Sequence, residues 1–111
     1  MKSEDRRAVR TAYKERDVSA GIFVVRCPAT GQQWVGRAPD LSTIETRLRF
    51  DLRHGNNPHR SLMEASRAHG IDGLVFEVVE RIDRERLGSF PQDVLRERQK
   101  HWRDELGAEA I

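Results

Sequence analysis

Cysteine, aromatic residues and long hydrophobic runs are scarce in this chain of 111 residues. Cys27 is the only cysteine, which excludes an intrachain disulfide and a cysteine-rich zinc site. Aromatic residues make up 6% of the chain, and no apolar run is long enough for a signal peptide or a membrane span. We therefore expect a cytoplasmic protein with no membrane partner.

Charged residues are abundant, but their signs nearly cancel. They make up 34% of the chain, and 20 Lys and Arg against 18 Asp and Glu leave a net charge of +2. A nucleic-acid surface would therefore have to come from local clustering of cations, because the total field is weak. The length allows one domain with one modest core and leaves no room for a separate cofactor domain.

The pattern along the chain predicts three segments, which are a charged helical extension (1–19), a domain (20–106) and a short C-terminal tail (107–111). In the extension, Ser3 can cap a helix that either packs a thin apolar stripe or serves as a basic arm for phosphates. Within the domain, hydrophobic spacing and turn residues predict, in order, strands at Gly21–Cys27 and around Trp34–Gly36, helices from Leu41 to Gly55 and from His59 to His69, a strand at Leu74–Glu80 and a helix after Pro91.

Apolar positions fix the inward faces of the three predicted helices. The first helix has Asp40 as its cap. The expected inward residues are Leu41, Ile44, Leu48 and Leu52 in the first helix, Leu62, Ala65 and Ala68 in the second, and Leu95, Gln99, Trp102 and Leu106 in the last.

Two short strand segments carry a family resemblance. Gly21-Ile22-Phe23 and Trp34-Val35-Gly36 flank a Pro and Gly turn, and together they form a modified GIY-YIG signature. Supporting segments follow in order, namely Gly36 to Leu41, Leu52 to Gly55, Leu62 to Gly70, Phe76 to Glu80 and Glu97 to Trp102. From about Ala20 to Leu106 the chain resembles the GIY-YIG endonucleases, which cut phosphodiesters in DNA. The resemblance implies an α/β fold with a small three-stranded antiparallel sheet flanked by helices.

The same resemblance implies an active site whose polar residues are changed here. In active members a hairpin tyrosine, an arginine on the first helix and a glutamate on the last helix converge on the scissile phosphate. The tyrosine positions are Phe23 and Trp34, the arginine position is Ile44 and the glutamate position is Gln99. An amide has no charge, whereas Mg²⁺ normally needs a protein carboxylate. Gln99 can equally be a buried amide bonded to backbone.

Nearby residues could replace the missing groups. Arg37 and Arg47 are candidates for the arginine, and Glu97 is the candidate metal ligand, although helical geometry turns it away from the side of Gln99. The expected groove is lined by Phe23, Trp34, Arg37, Arg47 and Gln99. The expected nucleic-acid contacts are Arg37, Arg47, Phe50, Arg53 and His54. The histidines lack the short spacing of a zinc site.

Three functions fit the sequence. The first is a nucleic-acid-binding domain, with DNA as the expected ligand, whose cleavage activity is weakened or lost. The second is an active endonuclease that uses Mg²⁺ or Mn²⁺ with Glu97 and either Arg47 or Arg37; without activity, no cofactor is expected. The third is a protein-interaction domain in which Phe50 and the charged N-terminal helix meet a partner. The sequence leaves open RNA as the ligand and the oligomeric state.

Overall fold

The protein was analysed as a computed structural model, which describes residues 20–111. The predicted N-terminal helix lies outside these residues. The strands are β1 (Ala20–Cys27), β2 (Gln32–Ala38), β3 (Val75–Ile82) and β4 (Glu109–Ala110). The helices are α1 (Leu41–Arg53), α2 (Arg60–His69), α3 (Arg84–Leu87) and α4 (Pro91–Leu106), and a 3₁₀ turn covers Ile71–Gly73. None of the described helices is long and apolar enough to cross a membrane.

The sheet has four strands in the order β3-β1-β2-β4. The central strand β1 is antiparallel to β2 and to β3, whereas β4 runs parallel to β2 and places Glu109 beside Trp34. The three expected strands are antiparallel as predicted, but the sheet has a fourth strand that the prediction lacked, and this strand is parallel to its neighbour. The fourth strand lies in the predicted tail, and its two residues are too few to give a periodic signal.

Side chains of β1 and β2 alternate between two cores, one on each face of the sheet. On the α1–α2 face, Phe23, Val25 and Trp34 pack with the inward residues of α1 and α2. On the α4 face, Ile22, Val24, Val35 and Leu95 pack together. The strand β1 is buried on both sides, since seven of its eight residues are buried.

The helices largely follow their predicted faces. Asp40 caps α1 by accepting a hydrogen bond from the Ser42 backbone N–H at 3.0 Å. Leu41, Leu48 and Leu52 are buried, and Ile44 is half-buried against the same core. In α2, Leu62 and Ala65 are buried as predicted, but Ala68 is exposed and Met63 and Ser66 are buried instead. The reason is geometric, since Ala68 lies about 120° around the helix from Leu62.

Two glycines of the hairpin allow close packing. A Cβ atom on Gly36 would lie 2.3 Å from the Phe23 ring, and one on Gly21 would lie 2.0 Å from the carbonyl oxygen of Glu80. Gly21 therefore lets β3 approach β1 next to the register shift between Ile22 and Phe23. Both positions exclude any larger side chain without a shift of their neighbours.

Candidate nucleic-acid interface

The two aromatic residues of the hairpin are core residues. Phe23 is 5% exposed and covers Gly36, while Trp34 is fully buried. The Trp34 Nε1–H lies 2.9 Å from both the Ser61 hydroxyl and a carboxylate oxygen of Glu109. Ser61 itself donates to the same carboxylate oxygen. Both hairpin aromatics are thus on the α1–α2 face and held away from solvent.

Gln99 is a buried amide whose hydrogen-bonding groups are all engaged. It is 4% exposed, and its Nε2 donates to the carbonyl oxygens of Val35 at 2.8 Å and Ile111 at 3.1 Å. Its Oε1 accepts a hydrogen bond from Nη1 of Arg37. Two acceptors on one side and a donor on the other fix the orientation of the amide. The structure therefore agrees with the alternative of a buried amide bonded to backbone.

A groove of about 590 Å³, hereafter the α4 groove, lies beside Gln99 and Arg37. Four cations and two carboxylates face it, which leaves two positive charges in excess. Its lining residues are Arg37, Asp93, Arg96, Glu97, Gln99, Lys100, Arg103 and Ala110. Arg37, Glu97 and Gln99 from the sequence analysis thus lie together here. Glu97 is exposed as expected, although it borders the same groove as Gln99.

The other predicted residues lie elsewhere. Phe23 and Trp34 are buried on the opposite face of the sheet, and Arg47 is an exposed residue of α1 that does not line the α4 groove. The structure therefore does not bring the five residues of the expected groove into one surface. The side chains divide because Trp34 and Arg37 are three residues apart on β2, an odd spacing that sends them to opposite faces.

A second surface, hereafter the α1 patch, consists of Arg47, Phe50, Arg53 and His54. All four residues are exposed, and Phe50 retains 52% of its accessible area. Its ring centroid lies 4.2 Å from that of His54, one helical turn later. Aromatic and cationic side chains are thus exposed together along one helix.

Sequence reasoning missed a polar cluster around Glu80. Its carboxylate accepts hydrogen bonds from Trp102 Nε1 at 2.8 Å, Arg98 Nε at 2.9 Å and Arg86 Nη2 at 2.8 Å. Burial alone would raise the pKa of Glu80, but these donors outweigh it and lower the pKa to about 2. The cluster joins β3 to α3 and α4. No local sequence signal pairs residues so far apart along the chain.

Comparisons with known proteins identify the fold. No family model and no curated protein matches the sequence. Among solved structures, the catalytic domain of the homing endonuclease I-TevI matches with a TM-score of 0.70 and 23% identity, over 83% of this chain and 97% of that domain. A mutant of the same domain, described as that of an intron endonuclease, matches with a TM-score of 0.69 and 23% identity, over 81% and 86% of the two chains. The chain has the GIY-YIG nuclease fold.

GIY-YIG nucleases typically depend on a divalent metal ion. The resemblance places their glutamate at Gln99 of this chain. The oxygen of Gln99 is already bonded to Arg37, whose positive charge would repel a cation. Within residues 20–111, no group of three or more His, Cys, Asp or Glu side chains is placed to hold a metal. Gln99 itself therefore does not fit a divalent ion.

Proposed function

We propose that this domain binds DNA through phosphate contacts in the α4 groove, and that its phosphodiester cleavage is weakened or lost. The observation that carries the proposal is the bond between Arg37 and Gln99. Gln99 has an uncharged amide where a metal ion would need a carboxylate. This amide holds the Arg37 guanidinium at the wall of a groove with excess positive charge. Such a guanidinium can bind a phosphate oxygen with its remaining N–H groups.

The α1 patch is a second proposed contact. Arg47 and Arg53 can approach phosphates, and the paired rings of Phe50 and His54 offer an aromatic surface to a base. Because α1 packs on the face of the sheet opposite α4, this patch would contact a different segment of the ligand. The single buried cysteine, Cys27, suits the reducing cytoplasm that we propose as the compartment.

An active endonuclease is the alternative, and one observation favours it. Glu97 borders the same groove as Arg37, so a carboxylate and a guanidinium face one space. If Glu97 held Mg²⁺ or Mn²⁺ there together with DNA phosphates, Arg37 would face the same groove and could offset charge on the phosphate. Arg47 does not share this groove, which makes Arg37 the stronger of the two candidates.

The proposal is tested by measuring binding and cleavage on the same DNA. Supercoiled plasmid and branched DNA are incubated with Mg²⁺ or Mn²⁺, and binding is measured at two salt concentrations for the wild type, Arg37→Ala, Glu97→Ala and the control Arg67→Ala. Arg67 is an exposed cation of α2 that does not line the groove. We expect no cutting and salt-sensitive binding. The slope of log affinity against log salt concentration should decrease by about one in Arg37→Ala and should not change in the other variants.

Other outcomes identify the alternatives. Metal-dependent cutting that disappears in Glu97→Ala would contradict the proposal and support the endonuclease. Absence of binding to any nucleic acid would contradict both, and would leave the exposed pair of Phe50 and His54 as a surface for a protein partner. Binding of RNA in preference to DNA would correct the ligand and retain the groove.

A further inference from the structure

The groove-facing side of α4 carries a row of cations, and a strongly exposed aromatic residue lies at the N-terminal end of the same helix. Arg96, Lys100 and Arg103 follow at spacings of four and three residues, so they rise about 6 Å and then about 4.5 Å along the helix axis. Phe90 immediately precedes α4 and is 70% exposed, more than any other large hydrophobic residue of the described chain. Its carbonyl oxygen accepts from the Asp93 backbone N–H at 3.1 Å, which ties Phe90 to the first turn.

The cations of this row are available to a ligand. Arg96 pairs with Asp93 and Arg103 with Asp104, but all four side chains are at least 41% exposed, so these ion pairs contribute little to stability. Among residues 20–111, no carboxylate lies within ion-pair distance of Lys100. The row can therefore exchange its partners for phosphate oxygens at low cost.

We propose that the α4 groove binds single-stranded DNA, with its phosphates along Arg96, Lys100 and Arg103 and with one base stacked on Phe90. This inference rests on the proposed function and specifies its ligand. An exposed phenyl face can stack only on a base that is not already stacked within a duplex. The carboxylates of Asp93 and Glu97 border the same groove, so the phosphates are expected on its cationic side, along Arg96, Lys100 and Arg103.

The test measures fluorescence anisotropy of a labelled single-stranded 12-mer, the matched duplex, and an abasic strand with the same number of phosphates. Wild type is compared with Phe90→Ala, Phe90→Leu and Lys100→Ala, with Val75→Ala as the control for removal of an exposed apolar side chain outside the groove. We expect single strands to bind more tightly than duplex. Phe90→Ala should weaken binding of the normal strand by about 5- to 150-fold and leave the abasic strand unchanged.

The leucine variant separates stacking from simple apolar contact, because it retains bulk without a π face. Phe90→Leu should resemble Phe90→Ala. Lys100→Ala should instead weaken binding of both single strands and reduce the slope of log affinity against log salt concentration by about one. Equal binding of duplex and single strand, or an unchanged affinity in Phe90→Ala, would overturn this inference while leaving DNA binding intact. Failure of the wild type to bind any of the three DNAs would instead overturn the proposed function.

Discussion

Replacement of Gln99 by Glu introduces the carboxylate that the resemblance to GIY-YIG endonucleases predicts at this position, and it tests whether the amide is structurally required. The two side chains have nearly the same shape, so the change exchanges an NH₂ group for an oxygen with little change in packing. That oxygen would face the carbonyl oxygens of Val35 and Ile111, which now accept hydrogen bonds from the amide at 2.8 and 3.1 Å. Arg37, on the other side, would gain a charged partner.

The magnitude follows from these three contacts. Two lost hydrogen bonds cost about 1 kcal/mol each, and leaving buried carbonyl oxygens against a carboxylate costs about 1–3 kcal/mol more. The charged hydrogen bond with Arg37 returns about 1.5–3 kcal/mol. We expect Gln99→Glu to lower the free energy of unfolding by about 1–2 kcal/mol at neutral pH. For a domain of this size that corresponds to a fall in melting temperature of roughly 5–15 °C.

The assay is urea denaturation of wild type and Gln99→Glu between pH 4 and 8, together with plasmid cleavage in Mg²⁺. The loss should shrink as the pH falls, because a protonated carboxyl regains one donor for a carbonyl oxygen. Gln99→Glu should gain no cleavage while Arg37 remains bonded to the new carboxylate. A variant as stable as wild type at pH 8, or one that cuts DNA, would refute the argument that the amide is fixed by its contacts.

Three further predictions concern stability. The pKa of Glu80 is about 2 in the fold against 4.5 ordinarily, so its ionised form contributes about 3 kcal/mol to the free energy of unfolding above pH 4.5. This contribution should fall away towards pH 2, and urea denaturation of Glu80→Gln should lack this pH dependence. Gly36→Ala should lower the free energy of unfolding by about 1–3 kcal/mol, because the new methyl group would clash with the Phe23 ring. Phe23→Leu should relieve that loss in a double variant. Trp34→Phe should lower the free energy of unfolding by about 1–2 kcal/mol. The double variant with Glu109→Ala should lose less than the sum of the two single losses, because both remove the same hydrogen bond.

These three are contradicted by distinct results. A pH profile that is the same in wild type and Glu80→Gln would place the acid-sensitive group elsewhere. A Gly36→Ala variant as stable as wild type would mean that the Phe23 ring moves freely. Additive losses for Trp34 and Glu109 would mean that their hydrogen bond contributes no coupling energy to the fold.

Elements with long apolar patterns were predictable from the sequence. The stripe of Leu41, Leu48 and Leu52 repeats at helical spacing, and the structure buries all three residues in α1. The inward face of α4 was predicted in the same way, including Gln99, because a single polar residue does not interrupt the stripe of Leu95 and Trp102. Local spacing sufficed here because each helix buries one continuous face.

Contacts between distant segments were not predictable in this way. The strand β4 is two residues long, and it forms only because β2 offers it an edge. Likewise, Glu80 has no local pattern that names Arg98 or Trp102 as its partners. One error was avoidable, since the spacing of Trp34 and Arg37 already places them on opposite faces of a strand. Motif positions thus indicated the fold correctly but did not establish a shared groove.

The C-terminal segment with the edge strand β4 contacts residues that belong to both faces of the sheet. Ala110 borders the α4 groove on one side and, on the other, a second groove that includes Ser61 and Glu109. Glu109 binds the indole of Trp34, while the Ile111 carbonyl accepts from Gln99. The same short segment therefore contacts both Trp34 and Gln99, the positions at which the resemblance predicts a tyrosine and a glutamate. This segment and the sheet itself separate Trp34 from the α4 groove, because Trp34 packs on the opposite face of the sheet.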